Sequence, residues 1–235
     1  MAAWGCCESS ESACSGVMEG PVRKILILGG GSAGWLTAGV IAAEHGDTLE
    51  VTLVESPDVP IIGVGEGTWP TMRGTLSRIG VSERAFLSEC DASFKQGSKF
   101  TGWLTGDPGE YYYHPFSLPH GFLEVNTVPC WQDRADECSF AAAVSPQEQL
   151  AEHSLAPKQA ATPDFAGVVN YAYHLDAVKF GRFLRRHCVD ALDVRHVSDL
   201  VTAVNPHGDG AIRSVTTASY GELEADLCVD CSGQA

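Results

Sequence analysis

The sequence predicts an α/β protein of the doubly wound, dinucleotide-binding type, and three observations predict it. A short apolar run, Lys24-Ile25-Leu26-Ile27-Leu28, leads directly into Gly29-Gly30-Gly31-Ser32-Ala33-Gly34. An alanine-rich segment without proline, Leu36 to Glu44, follows. A second apolar run, Leu49 to Val54, then ends at Glu55, about 20 residues past the last glycine, where an acidic residue would bind a ribose hydroxyl. Strand, glycine turn and helix are the context in which G-x-G-x-x-G has meaning.

Each position in that turn has a task. Gly29 permits the tight turn, Gly31 lets a pyrophosphate approach the backbone, and Gly34 lets helix and strand pack closely. Ser32 and Ala33 open the helix, whose free N–H groups and dipole favour anions. The same residues also spell G-x-S-x-G, the nucleophile elbow of α/β-hydrolases. Topology argues against that alternative, because an elbow strand normally follows several others and only one strand precedes Ser32. The elbow would also leave Glu55 without a role.

The 235 residues allow one large or two modest domains. Apolar content of 44% and charged content of 19% are those of a globular protein, and no apolar run reaches the length of a membrane span. A net charge of -15 disfavours nonspecific binding to nucleic acid or to anionic membranes. It does not disfavour an anionic cofactor held by backbone amides. The nine cysteines form no regular framework, and the eight histidines form no ligand-like cluster. No metal site is expected, and Cys228-Val229-Asp230-Cys231 reads as strand cysteines rather than a redox or metal pair. With no secretory signal, the odd count fits a reducing cytoplasm.

Residues 1–20 are rich in Ser, Glu and Cys without periodicity and are expected to be a disordered extension, with Met18 a candidate start. After the breaker-rich Ser56 to Pro60 comes Ile61-Ile62-Gly63-Val64-Gly65-Glu66-Gly67-Thr68-Trp69-Pro70. Three glycines in five positions imply backbone lying against something a side chain would obstruct. Pro70 suits a helix start, Met72, Leu76 and Ile79 recur at helical spacing, and Gly80 ends the helix. Ser82 can cap a second helix carrying Phe86, Leu87 and Cys90.

Lys95 and Lys99 stand among Phe94, Phe100 and Trp103. On pattern alone, lysines that lay their stems on apolar surface explain this better than a catalytic amine. Tyr111-Tyr112-Tyr113-His114-Pro115-Phe116 reads as an aromatic cluster in a loop, and Ala141 to Pro163 as a loosely structured insertion. Tyr171 to Asp176 reads as opening a helix, with Asp176 as its cap and Phe180, Phe183, Leu184 and His187 on one face. Strands are expected at Val194–Val197, Leu200–Val204, Ile212–Thr217 and Leu227–Asp230. The last runs into Cys231-Ser232-Gly233, a strand-to-glycine turn that reads as the N-terminal part of something longer.

In order, these segments resemble the flavin-dependent tryptophan halogenase family, from about Val22 to Gly233. The resemblance rests on Gly29 to Trp35, Gly63-Val64-Gly65-Glu66-Gly67-Thr68 with Pro70, Phe94-Lys95 with Lys99-Phe100, Tyr113-His114-Pro115-Phe116, Tyr173-His174-Leu175-Asp176-Ala177, and Asp226-Leu227 through Asp230-Cys231-Ser232-Gly233. It implies an FAD-binding, Rossmann-like three-layer fold over residues 21–235, incomplete at the C-terminus, with a substrate region over about residues 95–175. Reduced FAD and oxygen would form a flavin hydroperoxide, a halide would attack it, and hypohalous acid would travel to Lys95 beside an aromatic substrate. Lys99 would be the neighbour of Lys95, one helical turn on were the segment helical.

By the same resemblance Gly63, Glu66 and Gly67 belong to a strap touching flavin, Val197 contacts the adenine side through its backbone, and Asp230 belongs to the cofactor side. His114 and Phe116 would line the substrate site. The implied partners are a separate NAD(P)H-dependent flavin reductase and a small aromatic, with a halide ion as co-substrate; a homodimer is compatible with this reading. An ordinary lysine, with a pKa near 10.4, is only about 0.04% neutral at pH 7. Capture of halogen as a chloramine therefore needs an amine depressed by burial, whereas a charged ammonium would hydrogen-bond and polarise the hypohalous acid. The sequence leaves both routes open.

Two departures stand out. The family's W-x-W-x-I-P signature is absent, and so are its catalytic glutamate and halide-binding backbone, which the family carries beyond the point corresponding to Ala235. Gly67 and Trp69 occupy strap positions where free-tryptophan enzymes often carry alanine and a smaller apolar residue. That departure makes indole or another electron-rich aromatic as good an expectation as tryptophan. A flavin monooxygenase of the same fold and a non-catalytic flavin-binding fragment are the alternatives.

Overall fold

The computed structural model describes residues 20–59 and 65–233. Except for Gly20, the expected N-terminal extension lies outside the described residues, as does Gly63. The first β-α-β unit is β1 (Lys24–Leu28), α1 (Ser32–His45) and β2 (Glu50–Glu55). Ile25, Leu26 and Ile27 are all buried, as a strand covered on both faces requires.

Between β2 and the next strand of that sheet lies a long insertion. It contains β3 (Gly65–Gly67), α2 (Thr71–Arg78), α3 (Glu83–Glu89), β4 (Ser93–Lys95), β5 (Gly97–Thr101) and β6 (Tyr111–Pro115). It continues through α4 (Val128–Gln132), α5 (Phe140–Val144), α6 (Gln147–Glu152) and β7 (Ala172–Asp176) into α7 (Ala177–Leu192). The chain then forms β8 (Arg195–Ser198), β9 (Val201–Pro206), β10 (Ile212–Thr217), β11 (Gly221–Glu224) and β12 (Leu227–Asp230).

The central sheet runs β12-β1-β2-β8 and is parallel throughout, with Ile25 opposite both Val51 and Leu227 and Val54 opposite Val197. Strand alternation sends its side chains to two different cores. Ile27 and Leu53 meet Trp35 of α1, Leu184 of α7, and Leu76 and Phe86 of α2 and α3. Leu26, Val54 and Val197 face the other way, onto Val215 of the antiparallel sheet β11-β10-β9. Helices, parallel sheet and antiparallel sheet make three layers, as expected.

The insertion carries two further sheets. In one, β7 lies between β3 and β4, antiparallel to both, so His174 stands opposite Gly67 on one side and Ser93 on the other. In the other, β5 pairs with β6, matching Ser98 with His114 and Lys99 with Tyr113. Helix starts behave as the sequence indicates. Pro70 precedes α2, Ser82 Oγ accepts from Ala85 N at 3.4 Å, and Asp176 Oδ1 accepts from Lys179 N at 2.9 Å.

Four expectations are corrected. The Lys95–Lys99 segment is two strands, not a helical turn, so the two amines part company. Tyr111 to Pro115 is a strand paired with β5 rather than a loop. Tyr171 to Asp176 is mostly strand, and the helix begins only after the Asp176 cap. Ala141 to Pro163 contains most of α5 and all of α6.

The insertion is fastened by a buried carboxylate. Glu83, at the start of α3, is 1% exposed and accepts from the hydroxyls of Tyr171 and Tyr173, each at 2.6 Å. It also accepts from Phe165 N at 2.7 Å and Lys158 Nζ at 2.5 Å. Those partners lie 75 to 90 residues along the chain, so one side chain ties α3, the 158–165 loop and β7 together.

Candidate functional site

The carboxyl ends of the parallel strands converge on the glycine turn. Gly29 has φ +109°, and a Cβ there would fall 2.4 Å from Cys231 O, at the end of β12. A Cβ on Gly34 would fall 1.9 Å from Gly29 O, which is the close helix–strand approach expected of the third glycine. Gly31 is different, because a Cβ there meets nothing within 4 Å. It is the N-cap of α1, no side chain caps that end, and no acidic residue lies in the first turn. Ser32 and Ala33 begin the helix, so uncapped amides face open space at the positive end of its dipole.

This contrast makes a paired prediction. Gly34→Ala should lower the melting temperature by forcing α1 from β1. Gly31→Val should melt near the wild-type temperature yet lose most dinucleotide affinity, read by FAD titration of the full-length protein. Equal losses of stability in both variants would contradict this division of labour.

Glu55 closes the same end of the sheet. Its Oε2 lies where a Cβ on Gly30 would be, 1.4 Å away, so Gly30 leaves the carboxylate its place beside the turn. Arg185 Nη1 and His196 Nε2 approach Glu55 Oε1 at 3.4 and 2.8 Å, the histidine off the line of a full hydrogen bond. Burial alone would raise the Glu55 pKa; the neighbouring His196 and the Arg185 guanidinium outweigh it and hold the carboxyl below its ordinary value. It is therefore ionised at neutral pH and able to accept from ribose hydroxyls. Val197 sits opposite Val54 on β8. Asp230 lies opposite Leu28, where its Oδ1 accepts from Ser232 N and Oγ at 2.9 and 2.6 Å.

The second cluster lies in the insertion. Lys95, at the end of β4, is partly buried, and its Nζ stands 5.5 Å from the ring centroids of both Trp69 and Phe116. Those rings are themselves 5.5 Å apart, inclined at 49°. Gly67 faces the same amine, since a Cβ there would fall 3.2 Å from Lys95 Nζ. Glu66, opposite Leu175 on β7, is exposed. His114 is exposed on β6, two residues before Phe116, which follows the end of that strand. A cavity of about 590 Å³ borders Lys95 and His174, with Gln96, Tyr113 and Gln147 among its walls.

Lys99 borders the same cavity, but its amine is engaged elsewhere. Its Nζ pairs with Glu152 Oε1 at 2.6 Å and lies over the ring of Tyr111, 4.1 Å from its centroid. Cys228 and Cys231 are free thiols, neither fully buried. The structure thus collects Gly29, Gly31, Ser32, Ala33, Gly34, Glu55 and Asp230 at one end of the central sheet. It collects Lys95, Phe116 and Gly67 in the insertion. Sequence reasoning placed Trp69 in the strap without bringing it to Lys95, and passed over His174 as a member of the second group. The available signal for His174 was the alternation of buried Tyr171, Tyr173 and Leu175 with exposed His174 and Asp176, a strand pattern.

Comparison with known proteins adds four findings. The tryptophan halogenase family profile matches residues 24–235. Tryptophan 7-halogenase RebH of Lentzea aerocolonigenes is 35% identical over 232 residues, covering 92% of this chain and 43% of that protein. The crystal structure of a tryptophan halogenase from Shewanella frigidimarina superposes with a TM-score of 0.85 at 46% identity, covering 91% of this chain and 43% of that one. BrvH, a flavin-dependent halogenase from Brevundimonas, superposes at 0.74 with 31% identity, covering 90% and 43%. The chain therefore spans less than half the length of these relatives.

Proposed function

This chain belongs to the tryptophan halogenase family, and on that premise we propose that it supplies the FAD cradle and the halogen-directing lysine of an aromatic halogenase. The observation that carries the reading is the placement of Lys95, its amine equidistant from two aromatic rings in an insertion on a dinucleotide-binding sheet. The residues present fit FAD. Gly31 leaves empty the space a Cβ would fill, the α1 amides are uncapped, and Glu55 stands ionised beside the turn.

In this reading Gly29 to Gly34 hold the pyrophosphate, Glu55 accepts from the ribose, the Val197 backbone borders the adenine, and Asp230 closes the cradle. Glu66 and Gly67 form the strap toward the second site. Reduced FAD, delivered by a separate NAD(P)H-dependent reductase, supplies with oxygen the oxidising power that converts chloride or bromide to hypohalous acid. Lys95 then holds the halogen at Nζ, either as a hydrogen-bond donor to hypohalous acid or, when neutral, by taking the halogen itself. Transfer to the arene forms a carbon–halogen bond; the displaced ring proton leaves in water when hypohalous acid is the donor, and returns to the Lys95 amine when the amine has taken the halogen, water having formed in that earlier step. Phe116 and His114 orient the ring so that one carbon faces the amine, which is what selectivity requires. Trp69 crowds Phe116, which favours a flat indole-type substrate, tryptophan or a simpler relative.

The test is direct. Incubated with a flavin reductase, bromide and a panel of indoles, the full-length protein should give a product with the bromine isotope doublet. A hydroxylated product instead would select the monooxygenase, and flavin oxidation without any product would remove both.

A further inference from the structure

The residue that the site description leaves without a task is His174. It sits at the centre of the β3-β7-β4 sheet, opposite Gly67 and Ser93. Lys95 lies opposite Ala172, the residue two before it on β7. Residues directly opposite or two apart point to the same face, so Gly67, His174, Ser93 and Lys95 share one face. Tyr173, Leu175 and Phe94 point to the other, into the core. A Cβ on Gly67 would stand 3.2 Å from Lys95 Nζ, 3.3 Å from His174 Nδ1 and 3.4 Å from His174 Cε1. Amine and imidazole thus press on one point that only a residue without a side chain leaves free. Both also border the same cavity.

We propose that His174 is a positioning residue for Lys95, its imidazole forming with Gly67 the wall that directs the amine toward Trp69 and Phe116. The proposal deepens the halogenase reading and rests on it for its consequence in turnover. Although much of the side chain is exposed, the loss of water around part of the ring, and then the charge of Lys95, hold the His174 pKa below the ordinary imidazole value. The imidazole is therefore neutral at neutral pH and adds no second positive charge beside Lys95. Of the other charged groups nearby, Lys99 and Glu148 also line the cavity, but Lys99 pairs with Glu152 and Glu148 accepts from Ser139 Oγ. Asp176, two residues along the same face, is occupied as the cap of α7, and Glu66, opposite Leu175, belongs to the other face.

Two measurements on full-length protein decide the matter. The first is an NMR titration of the His174 ring in wild type and in Lys95→Met, which reads the juxtaposition whether or not the protein turns over. The His174 titration should move upward when the lysine charge is removed, and an unmoved titration overturns the proposal. The second is the partition between brominated arene and hypobromous acid trapped in solution. His174→Ala should shift that partition toward free hypobromous acid by about tenfold with FAD binding unchanged, and His174→Gln should restore most of it, whereas His174→Lys should not. A wild-type partition in His174→Ala, or a glutamine no better than alanine, overturns the positioning role. If wild type makes neither product nor hypobromous acid, the halogenase reading fails, and the titration still decides where His174 stands.

Discussion

Glu83→Ala is expected to destabilise the protein by about 3–5 kcal/mol, the cost of leaving a buried cation without its partner. Lys158 is 8% exposed in its side chain and has Glu83 as its ion-pair partner. Removing the carboxylate also orphans two tyrosine hydroxyls and a backbone amide, each costly when buried. In a domain of this size such a loss lowers the melting temperature by roughly 10 °C, measurable by thermal or urea denaturation. Glu83→Gln should recover part of it, because an amide oxygen still accepts from the tyrosines. The double replacement Glu83→Gln with Lys158→Met should recover more, since no unpaired charge remains.

The pH dependence has a definite sign. Burial alone would raise the Glu83 pKa; Lys158, the two tyrosine hydroxyls and the Phe165 amide outweigh it and lower it. A carboxyl depressed on folding contributes stability that is fully present above its unfolded pKa and is lost as pH falls through the folded one. The gap between wild type and Glu83→Ala should therefore narrow in acid and stay constant near neutrality. A gap that widened on acidification would refute this account of the cluster. The same hydroxyls feel the opposite push. Burial, then the Glu83 carboxylate, drive the Tyr173 pKa upward, so neither phenol competes for the negative charge.

Lys95→Met is expected to cost about 10²–10³-fold in halogenated product, the size of effect seen when one preorganised donor leaves an active site. Stability should hardly change, because Lys95 has no ion pair among the described residues and lies at the edge of its sheet. Lys95→Arg separates the two chemical routes. A guanidinium remains charged at any accessible pH, so retained activity would assign the work to the charged donor. Activity as low as that of methionine would assign it to the neutral amine.

How much of this was legible in the sequence depends on where each contact partner lies. The β1-α1-β2 unit is local: strand, Gly29 to Gly34, helix and Glu55 sit within about 30 residues, and every one falls where the pattern placed it. The insertion is not local. The strand β7 owes its existence to β3 and β4, which are distant in sequence. The Asp176 cap, a true helix signal, drew the expected helix backwards over a strand. Lys95 and Lys99 have a spacing of four that fits a helix equally well, and only the pairings with β7 and β6 decide otherwise. Glu83 looks like an ordinary acidic residue at a helix start, and nothing nearby reveals that Tyr171, Tyr173 and Lys158 enclose it. Trp69 was visible as an unusual side chain, but its contact with Phe116 spans more than forty residues.

The claim at the centre of this account is that one chain carries a flavin cradle and, apart from it, a lysine that delivers halogen to a ring. The measurement that tests it most directly is the yield of brominated arene per FAD oxidised in full-length Lys95→Met. The account predicts flavin oxidation at the wild-type rate with product nearly abolished. Bromination at an unchanged yield would contradict it and leave Lys95 with no part in the chemistry.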